Sequence, residues 1–295
     1  MNRKILPIAI LFAAALMLLQ TGCSHEEMPD ETNVTSAETA AQTDTEQLPE
    51  RIWDEFEEMS WYESGVFSEE IYHPEGFLVS RFYAEYPVLS GNDDVCRKIS
   101  AALEEFCRDT LESVRENDTA MGYDENGELI EAFADFHRQG AANNHRISYH
   151  IDSDSPDIFS VCFTYFPDYA GAAPVYVYPT AMVFDMHSGE RIDFEDLIAD
   201  NEGFAAAMEY AYGRETDDYH KDFVFGYDGD GRYVIGGNPV SERISVRRGS
   251  VGFYYNNGES GTGRSDISTY FAGLPAEDVL EYLTDEGRAL FEISD

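Results

Sequence analysis

The sequence predicts an α+β fold, antiparallel sheet with helices packed on one side, and three observations carry that expectation. Phe159, Val161, Phe163 and Tyr165 alternate with smaller or more polar residues, the period of a strand with one buried face. Val95, Ile99, Ala102, Leu103, Phe106, Leu111 and Val114 recur at three- and four-residue steps, the period of an amphipathic helix. Turn-forming clusters at 167–171 and 187–190 separate successive apolar runs.

Taken in order, the chain begins with a basic Asn2-Arg3-Lys4 and an apolar run from Ile5 to Leu19. That run is short of the ~20 residues of a membrane span and suits a signal-peptide core. Leu19-Gln20-Thr21-Gly22-Cys23 has the form of a lipobox, so residues 1–22 are expected to be a lipoprotein signal peptide and Cys23 the lipidated residue. Several acyl chains, at ~0.8 kcal/mol per buried methylene, would hold the protein on the extracytoplasmic face of the cell membrane. Residues 23–50 read as a disordered acidic tether. From Ser24 to Glu50 there is no Lys or Arg, there are eight Asp or Glu, and too little apolar surface to offset the entropy of ordering.

Residues 51–140 are expected to form a small N-terminal α+β domain. Trp53, Phe56, Trp61 and Tyr62 sit in an acidic lead-in that reads as a short helix or an arm. A strand follows from Phe77 to Glu85, ending at Tyr86-Pro87. The amphipathic helix then runs to about Glu116, with Asn92 or Asp93 as its cap. A turn-rich connection over 121–129 leads to a second helix over 130–136.

Residues 141–295 are expected to form a C-terminal α+β domain. Two antiparallel strands, 145–151 and 158–166, are joined by the acidic segment 152–157. Val175 to Phe184 is a further strand, and Pro179, which lacks an amide hydrogen, places it at an edge or a bulge. Gly189 supplies the positive φ of the next turn, and Asp193 stands at a helix N-cap. Gly203–Tyr212 reads as a helix stopped by Gly213, followed by short strands at 223–225 and 233–235. A strand from Arg243 to Tyr255, another at 267–271 and a helix opened by Pro275, with Val279, Leu280 and Leu283 inward, complete the chain.

The order of these motifs carries a resemblance. An apolar strand, the loop Tyr169-Ala170-Gly171-Ala172-Ala173-Pro174, a long strand into Phe184-Asp185 with Gly189-Glu190 and Ile192, and the acidic Asp196-Leu197-Ile198 helix entry resemble the C-terminal extracytoplasmic domain of RsiV-type anti-sigma factors. The same unit looks like the non-catalytic part of PdaC-type peptidoglycan deacetylases. Tyr86 to Gly91 with the helix after it is similar to the small domain that precedes the unit in both families. Where the family loop has Gly-Gly-Ala-His, this chain has Gly171-Ala172-Ala173-Pro174. RsiV-type domains bind lysozyme, a cationic muramidase, so the resemblance implies a protein ligand.

Cysteine usage leaves two readings open. Cys96 and Cys107 lie eleven residues apart on one helix, roughly 16 Å at ~1.5 Å per residue, and cannot bridge each other. Either Cys162 pairs with one of them or all three are buried thiols.

Catalytic motifs are missing. No histidines stand in an HExxH arrangement, and His145 and His150 have the spacing of opposite strand faces. Gly258-Glu259-Ser260-Gly261 lacks the final glycine of a nucleophile elbow, which Thr262 replaces. Nothing completes the acidic and histidine metal motif of a polysaccharide deacetylase. The acidic groups Asp152, Asp154, Asp157 and Asp228, Asp230 offer oxygen ligands but lack the glycine and bidentate Glu of an EF-hand, and read as hairpin tips. The expectation is therefore no metal, no cofactor and no enzyme activity.

Charge narrows the partner. With 19 basic and 58 acidic residues the chain carries −39, which repels nucleic acid and anionic lipid and attracts cationic partners over a Debye length of ~8 Å. The expected function is a lipid-anchored extracytoplasmic binding or sensing module for a cationic protein such as a lysozyme-like muramidase. A peptidoglycan-binding accessory lipoprotein and a cell-wall hydrolase are the alternatives. Loops on a rigid scaffold carry recognition, and the residues expected to do so are Tyr169, Gly171, Ala172 and Tyr176.

Overall fold

The computed structural model describes residues 62–91, 94–172, 177–215, 225–227, 233–235, 238–239, 243–247, 249–256 and 269–292. The signal segment, Cys23, the tether, Trp53, Phe56, Trp61, the helix caps Asn92 and Asp93, Tyr176, Asp228, Asp230 and the Gly258–Gly261 loop lie outside those residues.

Five strands make the main sheet: β1 (Tyr62–Tyr72), β2 (Leu78–Leu89), β3 (Asn143–Asp154), β4 (Ile158–Asp168) and β5 (Tyr178–Asp185), adjacent in that order. Neighbours are antiparallel except β2 and β3, which run parallel. A parallel pair cannot be closed by a tight turn. The crossover here consists of α1 (Asp94–Ala120) and α2 (Glu131–Arg138). β2 and β3, which lie on either side of residue 140, thus pair in one continuous sheet. Pro179 sits in β5, an edge strand, where its missing amide hydrogen breaks no ladder.

Two segments differ from the sequence reading because their patterns are ambiguous. The acidic lead-in ends in β1, whose residues are mostly solvent-exposed, so no buried alternation marks it as a strand. The stretch 243–255 is a hairpin, β9 (Ile244–Arg247) and β10 (Ser250–Asn256), turning at Gly249; nearly every residue of both arms is buried, so no alternation marks where one strand ends and the next begins.

β10 also pairs with β11 (Thr269–Pro275), giving a three-stranded sheet in the order β11-β10-β9. β6 (Phe225–Tyr227), β7 (Tyr233–Ile235) and β8 (Asn238–Pro239) form a small separate sheet. Asp193 caps α3 (Phe194–Leu197), its side chain accepting from the Glu195 amide. α4 (Asn201–Glu215) continues through Gly213, past its expected stop. After Pro275 come two 3₁₀ turns, Ala276–Asp278 and Leu280–Tyr282, and then α5 (Asp285–Glu292).

The layers follow from side-chain parity. α1 lays Cys96, Ile99, Leu103, Cys107, Leu111 and Val114 on Phe82, Ile147, Phe159, Val161, Phe163 and Phe184 of the main sheet. The alternate residues of β4 and β5, Cys162 and Ala181, face Tyr254 and Phe271 of the second sheet. The second sheet's other face, Val251, Phe253 and Tyr255, receives Phe204, Met208, Ala211 and Tyr212 of α4. The long helices thus lie on outer faces, one per sheet, in an α+β fold. Cys96, Cys107 and Cys162 are free and buried, and burial pushes the Cys107 thiol up to about 12.

Candidate functional site

The loop from Tyr169 to Ala172 leaves the end of β4 as a turn closed by the Ala172 amide donating to the Tyr169 carbonyl at 3.0 Å. Gly171 has φ +78°, and a Cβ there would lie 3.1 Å from the Phe136 ring, so both conformation and space select glycine. Gly171 and Ala172 are exposed. Tyr169 is half-buried, its ring edge-on to His145 at 5.5 Å. Burial, followed by the nearby Asp118 charge, raises the Tyr169 hydroxyl above its ordinary value. Three of the four residues expected to recognise a partner therefore meet in one loop, with Tyr169 serving as its root.

Beneath the loop is a sealed polar cluster that the sequence reading did not find. Asp118, in the last turn of α1, accepts through Oδ2 from Ser80 Oγ, from Asn143 Nδ2 at 2.9 Å and from His145 Nε2 at 2.8 Å. A carboxylate only accepts, so Nε2 donates to it, while Nδ1 lies 2.6 Å from the Tyr165 hydroxyl. The side chains of His145 and Asp118 are 0% and 1% exposed. Asn143 then uses its Oδ1 to accept from the Ala170 amide at 3.0 Å, which ties the cluster to the loop backbone. Both ring nitrogens are engaged and the ring is buried, so His145 is held in place beneath the loop. One signal was available in the sequence: Asp118 continues the buried stripe Leu111, Val114 of α1, at a helix C-terminus where the dipole disfavours a carboxylate.

A second cluster of the same residue types lies between the two sheets. Asp152 was expected at a hairpin tip, but the bulge between Ile151 and Ser153 turns it inward. It accepts from Ser245 Oγ at 2.6 Å and from the Tyr254 hydroxyl at 2.5 Å, while Ser245 meets Ser160 at 2.9 Å. His150 Nε2 stands 2.6 Å from the Tyr254 hydroxyl and 3.3 Å from Asp152 Oδ1. Burial, then the Asp152 charge, raises the Tyr254 hydroxyl. Of the other acidic residues, Asp157 meets His187 Nε2 at 2.9 Å. Among the described residues no group of three or more His, Cys, Asp or Glu is placed to hold a metal ion.

No family model and no curated protein matches the chain. Solved structures do. A DUF3298 family member from Bacteroides fragilis matches with 14% identity and a TM-score of 0.47, over 76% of this chain and 93% of that one. A DUF3298 family protein from Pseudomonas aeruginosa PAO1 matches with 12% identity and a TM-score of 0.47, over 78% of this chain and 96% of that one.

Proposed function

We propose that the chain is a lipid-anchored extracytoplasmic binding module that presents the Tyr169–Ala172 loop to a cationic protein, of which a lysozyme-like muramidase is the leading case. The observation that carries the reading is the mounting of the loop. Exposed Gly171 and Ala172 leave room for a partner backbone, and the Asn143–Ala170 hydrogen bond fastens them to a buried, bonded cluster. A pre-ordered loop loses little entropy on binding, which favours affinity. The net charge of −39 supplies attraction to a basic partner, and the motif order that resembles RsiV-type domains supplies the kind of partner. No catalytic step belongs to this reading, because its function is recognition.

The direct test is stopped-flow association of the soluble body with a lysozyme-type muramidase. The on-rate is expected to fall steeply with salt while the off-rate changes less. No association at low ionic strength would remove this ligand. Anchoring is tested separately: Cys23→Ala is expected to lose the membrane-fraction partitioning of the full chain, and unchanged partitioning and mass would contradict the lipobox.

A further inference from the structure

The main sheet has one stretch of face that no described element covers. The second sheet contacts β4, β5 and part of β3. The same face of β1 and β2 and the start of β3 is a trough of about 750 Å³, open on one side, along which lie Ser68, Glu70, Arg81, Tyr83, Asn144 and Arg146. Strand register puts these together: Ser68 pairs with Tyr83 and Glu70 with Arg81 across β1 and β2, Arg81 pairs with Asn144 and Tyr83 with Arg146 across β2 and β3.

Glu69 and Glu70 line the trough as well as Arg81 and Arg146, so its charges balance where the chain as a whole is strongly acidic. In a protein with 58 acidic and 19 basic residues, exposed cations find carboxylates easily. Arg97, Lys98, Arg108, Arg115 and Arg138 all do so, and Arg247 lies over the Phe271 ring at 5.6 Å. Arg146 meets none among the described residues: its guanidinium lies 5.8 Å over the Tyr83 ring. That ring is itself fixed, since the Tyr83 hydroxyl donates to Glu85 at 2.5 Å. Arg81 faces Glu70 at 3.6 Å with both side chains about half-exposed, a contact that a better-placed carboxylate can replace. Asn144, whose Nδ2 also donates to the Ala142 carbonyl at 3.4 Å, adds an amide beside the two arginines.

We propose that this trough is a binding site for a compact carboxylate-bearing ligand, with Arg146 as its principal contact. A guanidinium pre-positioned on an aromatic ring offers parallel N–H donors that match a carboxylate in two-point geometry. Arg81 provides a second cation, and Asn144 bonds the hydroxyl or amide groups beside the carboxylate. Two sources share this chemistry, an acidic sugar and the C-terminus of a short peptide. The site is separate from the Tyr169–Ala172 loop and does not depend on the protein ligand proposed for it.

The experiment is a titration of the soluble body followed by NMR at the Arg146 Nε–H and the Asn144 side-chain amide. The probes are N-acetylmuramate and an N-acetylated D-alanyl-D-alanine, with N-acetylglucosamine and the dipeptide amide as neutral counterparts. Saturable shifts with one or both carboxylates, and not with their counterparts, are expected; which probe binds identifies the source. Arg146→Gln is expected to weaken binding about tenfold. Glu70→Gln, which removes the competing carboxylate from Arg81, is expected to tighten it, an effect that damage to the fold would not produce. Absence of saturation with either acid, equal binding of the neutral counterparts, or full affinity in Arg146→Gln would overturn the proposal.

Discussion

β3 carries an Asp–His–Tyr cluster on each of its faces, and the two differ in access to water rather than in composition. Asp118 and His145 are closed in under α1, with the His145 side chain 0% exposed, and Tyr165 stands half-buried beside them. Asp152, His150 and Tyr254 lie between the sheets; the carboxylate is 1% exposed but the His150 side chain is 45% exposed. Both carboxylates are therefore desolvated and depend on their donors, whereas only one histidine does. The sealed cluster fixes a loop backbone through Asn143, and the vented one joins two sheets through Ser245 and Tyr254. The same residue types thus form a rigid mount in one place and an inter-sheet tie in the other.

The largest effect that separates them is expected at Asp118. Asp118→Ala strands the Ser80, Asn143 and His145 donors in a dry site and should cost about 3–5 kcal/mol in denaturant unfolding. Asp152→Ala strands two hydroxyls beside an opening to solvent and should cost less, about 2–3 kcal/mol. The histidines sharpen the contrast. His145→Ala should cost several times more than His150→Ala, which should stay near ~0.5 kcal/mol because water reaches its place. Equal costs at the two histidines would break the distinction between sealed and vented.

Another buried histidine shows what happens without a carboxylate bonded to the ring. His73 is 2% exposed, stacks on Phe77 at 4.6 Å, and its Nε2 has no hydrogen-bond partner among the described residues. Burial lowers its value below the ordinary 6.5, Glu75 opposes that shift, and Arg138 and His137 add to it. The unfolded chain therefore takes up the proton first as pH falls. Its contribution to stability is full above about pH 6.5 and is lost as pH drops toward the folded value. His73→Phe should flatten the fall in unfolding midpoint between pH 6.5 and more acid conditions, and an unchanged slope would assign that fall to other groups. The smallest effect is at the thiols. With Cys107 pushed to about 12 and Cys96, Cys107 and Cys162 all buried, iodoacetamide should leave these three thiols unlabelled in the native protein and modify them only on unfolding.

Much of the fold could be read from the sequence because it follows one-dimensional periods. α1, β4, the Gly189 turn (φ +71°) and the Asp193 cap each express a rule that acts within a few residues. β1 could not, since an exposed edge strand has no buried alternation. Nor could the parallel β2–β3 pairing, which joins segments on either side of two helices. The turn at Tyr169–Ala172 was legible through the glycine at its positive φ, Gly171. The cluster below it was not, because Ser80, Asp118, Asn143, His145 and Tyr165 come from three strands and a helix and meet only in three dimensions.

The central claim is that a rigidly mounted loop recognises a cationic protein, and the most direct measurement is binding of a lysozyme-type muramidase to Ala172→Arg. Ala172 is exposed, whereas Tyr169 also packs on His145, so only the former can be changed without touching the mount. The account predicts an unchanged thermal transition and a loss of affinity of at least about a hundredfold at low salt, from added bulk and like charge at the contact. Wild-type affinity in that variant would contradict it.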